Sequence, residues 1–330
     1  MKLPLLAALL LTPGAQALTL PTHFASSMVL QRDAPIALWG LDAPLANITV
    51  TYRGARLPPV AADATGRFSV TLPATALNAT PDTVLLTSSQ GPTLALTDTL
   101  VGDVYVCSGQ SNMAIPVAWS LYYNETLAAA AGLGDRLRIL TAANLAEYVN
   151  ATSPADNFTA SLPWSRASAA TAAGFSALCY NFGAEALAAN PDLPIGLLAN
   201  PWGGVPIEVY MSPQALAACP AAAPPARAGG AQLALEALAA AYRAALRGGA
   251  SPVKPSCLYN AMMHPLLSIP VTALLWYRAC LQGEKMAALI DPPTHRTPLP
   301  PPSPPTHTRR GRGQRRRPAG LPLQAARHGE

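Results

Sequence analysis

A serine in a short turn is the residue whose type and setting could carry out nucleophilic chemistry. The group Ser108-Gly109-Gln110-Ser111-Asn112 directly follows the apolar segment Val101 to Cys107, which suits a strand buried on both faces. Ligands bind beyond the carboxyl ends of strands in open α/β sheets. A base can activate a serine hydroxyl there, and nearby backbone N–H groups can stabilise an oxyanion. Because Met113 replaces the second glycine of the G-x-S-x-G motif, a purely structural serine remains the alternative.

The segment before this turn, residues 18–100, has the pattern of an all-β domain. Short apolar or alternating runs are separated by turn residues such as Gly40, Asp63 to Gly66 and Gln90 to Pro92. Regular short strands separated by such turn residues predict a β-sandwich. The predicted strands are Ile36 to Trp39, Ile48 to Tyr52, Phe68 to Leu72, Val84 to Thr87 and Leu94 to Thr97.

Residues 101–290 change to alternating strand and helix patterns, which predict an open α/β sheet around the Ser111 turn. The Ala/Pro/Gly-rich residues 220–230 predict a surface loop within this region. Beyond Val101 to Cys107, strands are predicted at Leu137 to Leu140, Ile195 to Asn200 and Ile269 to Tyr277, and helices at Phe175 to Ala189 and Ala231 to Arg247.

The amino terminus, residues 1–17, has the features of a signal peptide. Lys2 precedes the apolar run Leu3 to Leu11, and Ala15 and Ala17 form a small-x-small cleavage site. A membrane anchor is the alternative, but this run is shorter than the roughly 20 residues that span a bilayer. We therefore expect no membrane span and entry into the secretory pathway, with extracellular or lysosomal residence both open.

Sequons and cysteines fit secretion. A sequon at Asn78 is made doubtful by the following Pro81. The possible N-glycan sites are Asn47, Asn124, Asn150 and Asn157. The cysteines are Cys107, Cys179, Cys219, Cys257 and Cys280. They show no metal-binding spacing, and we expect one or two disulfides of open connectivity with an odd thiol left over. Simple burial as apolar residues is the alternative for several of them.

The carboxyl-terminal residues 291–330 predict a disordered tail, because ten of these 40 residues are proline and no apolar period survives. From His295 onward, eight arginines and one glutamate give this tail a charge of +7. The formal net charge is +5, so the rest of the chain carries −2. A near-neutral body gives no reason to expect nucleic acid as a partner.

Several motifs in order along the chain resemble those of the sialate O-acetylesterase family. The resemblance extends from about residue 18 to residue 284. The matching motifs are Met28 to Arg32, Trp39-Gly40, Gly66 to Phe68, Gly102 to Met113, Phe175 to Phe182, Leu193 to Leu197, Trp202 to Glu208, Tyr210 to Pro213, Leu258 to Leu266 and Leu275 to Tyr277.

This resemblance implies a β-sandwich followed by an SGNH-type, flavodoxin-like α/β hydrolase domain. The implied activity is hydrolysis of acetyl esters on sugar hydroxyls, without a metal or organic cofactor. Ser111 matches the family nucleophile, and Gly204 is the glycine we favour as an oxyanion donor. The family carries a Gln-Gly-Glu group directly after Trp-Tyr, whereas four residues separate Tyr277 from Gln282 here. Gln282 is therefore only a candidate oxyanion donor. The acetylated sugar, whether sialic acid, xylan or another, stays open.

The family's catalytic histidine and its aspartate have no convincing match. The family sets them as D-x-x-H, whereas three residues separate Asp291 from His295, and we interpret this pair as chance. We expect a structural role for His264, which lies in a matched motif. The resemblance thus predicts an incomplete hydrolase domain with little or no esterase activity. A glycan-binding relative without catalysis and a defective gene model of a true enzyme are the two explanations, and we favour the second.

Overall fold

The computed structural model describes residues 17–218 and 254–277. Within these ranges the strands are β1 (Val29–Gln31), β2 (Ile36–Leu41), β3 (Asn47–Tyr52), β4 (Ala55–Arg56), β5 (Val60–Ala61), β6 (Arg67–Leu72), β7 (Asn78–Ser88), β8 (Leu94–Gly109), β9 (Leu137–Ala142), β10 (Ala160–Arg166), β11 (Ile195–Ala199) and β12 (Ala273–Tyr277). The α-helices are α1 (Ser111–Ala114), α2 (Tyr123–Leu133), α3 (Ala169–Ala172), α4 (Ala177–Ala189) and α5 (Pro213–Ala218). No helix in this part of the chain is long and apolar enough to cross a membrane.

Several predicted features lie outside the described residues. They are the signal peptide apart from Ala17, the loop at residues 220–230, the helix from Ala231 to Arg247 and the tail at residues 291–330. The boundary predicted at residue 100 falls inside β8, and the division into domains stays a prediction.

The long strand β8 organises the fold. Its first half pairs antiparallel with β7, and its middle pairs parallel with β1. Its second half pairs parallel with β11 on one side and with β12 on the other. One strand therefore continues from the amino-terminal region into the part of the sheet that ends at Ser111.

The carboxyl-terminal half of β8 belongs to a parallel set. The strands β9, β11, β8 and β12 run parallel, and β10 adds an antiparallel strand beside β9. Strand β11 is buried at all five residues because it lies between β8 and β9. The mixed α/β class predicted from the sequence is confirmed. The flavodoxin-like subdivision and its incompleteness stay predictions.

The amino-terminal region is all-β, as predicted. Strands β2 and β6 form an antiparallel two-stranded sheet, while β3 pairs with β4, β5 and β7 in the large sheet. The alternating residues of β3 and β6 bury one face of each strand, including Ile48, Val50, Phe68 and Leu72. The β-sandwich is not confirmed as such, because β3 and β7 belong to a sheet that continues through β8.

Two strand predictions need correction. The predicted strands Leu94 to Thr97 and Val101 to Cys107 are one continuous strand, β8. The predicted buried strand Ile269 to Tyr277 is wrong in length and burial, since β12 begins at Ala273 and its residues are half-buried or exposed. Among the described strands β12 pairs only with β8, so it lies at an edge of this part of the sheet, where a strand is less covered than in the centre.

The helix predicted from Phe175 to Ala189 is confirmed by α4. Ser176 caps this helix by accepting a 3.2 Å hydrogen bond from the backbone N–H of Cys179. Five short turns of 3-10 or π helix complete the described chain: Val117–Trp119, Ala146–Asn150, Ile207–Tyr210, Tyr259–Met263 and His264–Ser268.

A buried charged group fixes the first half of β8 to β9 and β10. Arg138 on β9 has a fully buried side chain, and its guanidinium lies 3.1 Å from Asp98 Oδ1. Arg166 on β10 donates two hydrogen bonds to the same carboxylate, at 2.8 and 3.0 Å. Ser27 supplies a further hydroxyl donor at 3.0 Å. Because β8 does not pair with β9, this network links strands that backbone hydrogen bonds leave unconnected.

Candidate active site

Ser111 lies immediately beyond the carboxyl end of β8, where it begins α1 and its side chain is exposed. Gly109 precedes it with a φ of +135°, a conformation that L side chains rarely adopt. A Cβ on Gly109 would lie 2.0 Å from the carbonyl oxygen of Tyr277. The same carbonyl accepts a 3.1 Å hydrogen bond from the N–H of Gln110. Gly109 therefore lets the end of β12 approach the turn that presents Ser111.

The glycine turn after β11 lies against Ser111. The N–H of Asn200 donates to the Cys107 carbonyl and that of Trp202 to the Gly109 carbonyl, both at 3.0 Å. These bonds hold the chain after β11 along the end of β8. A Cβ added to Gly203 would lie 3.5 Å from Ser111 Cβ, so a side chain there would pack directly on the serine.

Gly204 follows with a φ of +75°, which favours glycine. The side-chain amide of Gln110 donates a hydrogen bond to the Val205 carbonyl and joins this turn to the one that carries Ser111. Among the described residues, none accepts a hydrogen bond from the N–H of Ser111 or of Gly204. The turns predicted separately from the sequence are thus neighbours.

A buried neutral cluster supports the two turns. Ser108 donates a hydrogen bond to Asn200 Oδ1, and the Asn200 amide donates to the Met262 carbonyl at 3.2 Å. The hydroxyl of Tyr210 donates a 2.8 Å bond to the Asn200 carbonyl. Burial raises the pKa of Tyr210, so its hydroxyl stays protonated. Trp276 packs edge-on against the Tyr210 ring at 5.1 Å between centroids. The sequence gives no signal for this cluster beyond the motifs that contain its members.

A disulfide fixes α4 beside the same strand end. Cys107, two residues before Gly109, is bonded to Cys179 in the first turn of α4. Both cysteines are fully buried. Cys257 is a buried free thiol, and burial raises its pKa. One of the predicted one or two disulfides is present, while Cys219 and Cys280 lie outside the described residues.

A cleft of about 230 Å³ opens at the carboxyl ends of β9 and β11, beside α1. Its polar side chains are Thr141, Asn144, Ser161 and Ser176, and Ala114 of α1 contributes to its wall. Uncharged hydroxyl and amide groups of this kind can hydrogen-bond a neutral polar ligand such as a sugar.

The sequence offers no convincing general base for Ser111, and this expectation stays a prediction. The part of the chain that the structure describes contains two histidines, and neither hydrogen-bonds to Ser111. The Nδ1 of His264 lies 2.9 Å from the Ala155 carbonyl, which fits the predicted structural role. His23 is buried beside Phe24. Gln282, Asp291 and His295 are outside the described residues, and their roles remain untested.

Comparison with known proteins finds the same family that the motifs predict. No protein-family model matches the chain. The chain is 29% identical to the sialate O-acetylesterase of Pongo abelii and 28% identical to that of Homo sapiens, over 80% of this chain and 48% of each relative. It therefore spans about half the length of these curated relatives.

A solved structure gives the same result. A carbohydrate acetylesterase from Xanthomonas citri superimposes with a TM-score of 0.63 at 32% identity, covering 80% of this chain and 52% of that one. The chain is thus similar in sequence to sialate O-acetylesterases and in structure to a carbohydrate acetylesterase, and the resemblance predicted from its motifs is confirmed.

Proposed function

We propose that Ser111 is the nucleophile of a carbohydrate O-acetylesterase site that hydrolyses acetyl esters on sugar hydroxyls. The observation that carries this proposal is the exposed Ser111 at the end of β8 with the Gly203 turn packed against it. The names of the similar proteins support a carbohydrate ester as the substrate class. The neutral cleft beside α1 supports a sugar ligand.

In the proposed reaction, Ser111 Oγ attacks the acetyl carbonyl while a general base accepts the hydroxyl proton. The N–H groups of Ser111 and Gly204 donate to the oxyanion that forms. The C–O bond to the sugar then breaks, and the protonated base returns its proton to the departing sugar oxygen. Water repeats the sequence on the acetyl-serine and releases acetate. No metal or organic cofactor is required by these steps.

The general base belongs outside the described residues in this proposal, because the two described histidines do not contact Ser111 and His264 has another partner. A glutamine side chain at Gln282 would add a third oxyanion donor.

The decisive test supplies a general base from solution. We expect the 330-residue chain to release little acetate from an O-acetylated sugar in plain buffer. Added imidazole, which can accept the hydroxyl proton, is expected to raise the rate at least tenfold above that of Ser111→Ala in the same imidazole. Acetate release is measured by a coupled assay. Ser111→Ala corrects for hydrolysis by imidazole itself.

Equal rates for the chain and Ser111→Ala in imidazole would contradict a nucleophilic role for Ser111. Robust release without imidazole that is lost in Ser111→Ala would support the nucleophile but overturn the expectation of a missing base.

The second candidate function is glycan binding without turnover, which the uncharged cleft beside α1 favours. In that case an O-acetylated sugar binds with a measurable heat in calorimetry, and imidazole gives no Ser111-dependent acetate. Asn144→Ala, which removes an amide from the cleft wall, should then weaken binding more than a matched surface change such as Asn47→Ala.

We also infer that the chain enters the secretory pathway, with extracellular or lysosomal residence. The signal-like residues 1–17 and the disulfide between Cys107 and Cys179 support this, because disulfides persist mainly in oxidising compartments.

A further inference from the structure

An exposed apolar segment follows helix α1, which begins at Ser111. Trp119, Leu121 and Tyr122 have relative exposures of 81%, 86% and 77%. These three residues, called the aromatic patch below, lie between α1 and α2. Three large apolar side chains this exposed within four residues make a candidate interaction surface.

A glycosylation sequon directly follows the patch. Asn124-Glu125-Thr126 begins two residues after Tyr122, and Asn124 is exposed in the first turn of α2. The Cα atoms of Asn124 and Tyr122 are at most about 7 Å apart, since they are two residues apart along the chain. The Thr126 N–H donates a 3.0 Å bond to the Tyr122 carbonyl, which fixes Tyr122 to the helix that carries Asn124.

We propose that Asn124 carries an N-linked glycan whose inner sugars pack on the aromatic patch. A pyranose ring has an apolar face of C–H groups, and stacking that face on an indole or phenol ring removes apolar area of both from water. The glycan supplies the cover that the patch lacks and adds polar surface above it. This inference depends on passage through the secretory pathway and is independent of the esterase proposal.

The modification is an ordinary group transfer. The Asn124 amide nitrogen forms a bond to C1 of an oligosaccharide, and the bond from C1 to the diphosphate of a lipid-linked donor breaks. The lipid diphosphate leaves, and the amide loses one proton to solvent.

Two other sequons have asparagines whose side chains are already engaged. Asn157 Oδ1 accepts a 2.8 Å hydrogen bond from the Thr22 N–H. The side-chain N–H of Asn78 donates to the Thr80 carbonyl, and Asn78 Oδ1 accepts a hydrogen bond from the Thr80 N–H. No described residue hydrogen-bonds to the Asn124 side chain, so modification there disrupts nothing in the described fold.

The two remaining sequons lack an exposed aromatic neighbour. Tyr148 lies two residues before Asn150, as Tyr122 does before Asn124, but it is buried and its hydroxyl accepts a 2.8 Å bond from a backbone N–H. Leu45 lies two residues before Asn47 and is exposed, but it has no ring to stack on a sugar. Asn124 therefore combines an unengaged, exposed side chain with exposed rings.

The first test is site occupancy. The full chain is expressed in a eukaryotic secretory host, and glycopeptides are analysed by mass spectrometry. We expect Asn124 to be modified and Thr126→Ala to abolish that modification. An unmodified Asn124 in the wild-type chain overturns the inference, whatever the state of the other sequons.

The second test asks whether the glycan attached to Asn124 also covers the aromatic patch. Asn124→Gln is made in the wild-type chain and in a Trp119→Ser/Tyr122→Ser variant, and the Tm of all four proteins is measured. Loss of the glycan should lower the wild-type Tm by about 3 °C, as about 1 kcal/mol does for a protein of this size. The same change should have little effect in the patch variant. Binding of the dye ANS should rise only in the wild-type background.

The matched control is the same four proteins made in bacteria, where no glycan is added and Asn124→Gln should leave Tm unchanged. Equal Tm losses in both backgrounds of the secreted proteins would overturn the packing of the glycan on the patch. Circular dichroism at 20 °C checks that all four proteins fold.

Discussion

The two ends of β8 are stabilised in opposite ways. Near its start, Asp98 forms ion pairs with the buried Arg138 and with Arg166. At its end, the neutral Ser108 and Asn200 hydrogen-bond to each other in full burial. The charged end joins strands that do not share backbone hydrogen bonds, whereas the neutral end brings two glycine turns together.

The difference has a physical reason at the carboxyl end. A fixed charge buried beneath Ser111 would interact with the oxyanion proposed there through a low dielectric, where charge–charge energies are large. Neutral hydroxyl and amide groups hold the turns without adding such a charge. The comparison teaches that one strand can be anchored by ion pairs where it only supports the fold, and by neutral hydrogen bonds where chemistry is proposed.

The largest effect is expected at the charged end. Asp98→Ala leaves the Arg138 guanidinium buried without its carboxylate, and breaking a buried pair in this way costs about 3–5 kcal/mol. Urea unfolding at pH 7.5 measures the loss in free energy of unfolding. The matched control is Asp135→Ala, which removes a solvent-exposed partner of Arg166 and should cost less than about 1 kcal/mol. Similar losses for both variants would show that the burial of Arg138 is not what matters.

A somewhat smaller loss is expected at the neutral end. Gly109→Ala places a methyl group against the Tyr277 carbonyl and strains a φ of +135°, for a total cost of about 3 kcal/mol. Gly132→Ala in α2 is the control, because nothing lies within 4 Å of its added Cβ and alanine favours a helix. Gly132→Ala should be neutral or slightly stabilising in urea unfolding. A stable Gly109→Ala would mean that β12 shifts freely at the site.

The smallest effect is expected in the pH dependence of stability that the buried His23 causes. Burial lowers the pKa of His23 from 6.5 to about 4. Above pH 6.5 both folded and unfolded chains hold a neutral imidazole. As pH falls from 6.5 toward 4, the unfolded chain takes up the proton first, so His23 alone contributes a loss of about 2 kcal/mol in stability between pH 7.5 and pH 5.

His23→Phe removes this titration and should lose about 2 kcal/mol less than the wild type over the same pH interval, measured by urea unfolding at both pH values. The comparison of pH dependence cancels any packing change caused by the larger ring. Parallel pH profiles for the two proteins would show that His23 does not titrate below its ordinary pKa in the folded chain.

Strand β8 shows a feature of the fold that the sequence does not predict. Its apolar halves are visible in the sequence, but Thr97-Asp98-Thr99 looks like a polar break. The strand is irregular here, since Asp98 has a φ of +57° and the register with β7 shifts beside it. It nevertheless continues as β8, and Asp98 binds Arg138 and Arg166, which are 40 and 68 residues away. No local pattern announces such a pairing, so one strand is predicted as two.

In the candidate site, too, the sequence predicts some features and does not predict others. Ser111 and the paired-glycine turn can be predicted from their motifs, and the parallel strands bring them together as the α/β pattern requires. The position of Gly203 beside Ser111 and the hydrogen bond from Gln110 to the Val205 carbonyl depend on how β11 and β8 align in register. Register is a tertiary property, so these details are not visible in the sequence.

The continuity of β8 also limits how the molecule can be dissected. A fragment that began at Val101 would start in the middle of a hydrogen-bonded ladder, where Leu100 faces Val29 and Val101 faces Leu30 on the same neighbouring strand. Without residues 94–100, backbone donors and acceptors of the neighbouring strands would be unpaired at an exposed sheet edge. Such edges pair with strands of other chains. We therefore expect the half of the chain that carries Ser111, expressed by itself, to aggregate instead of folding independently.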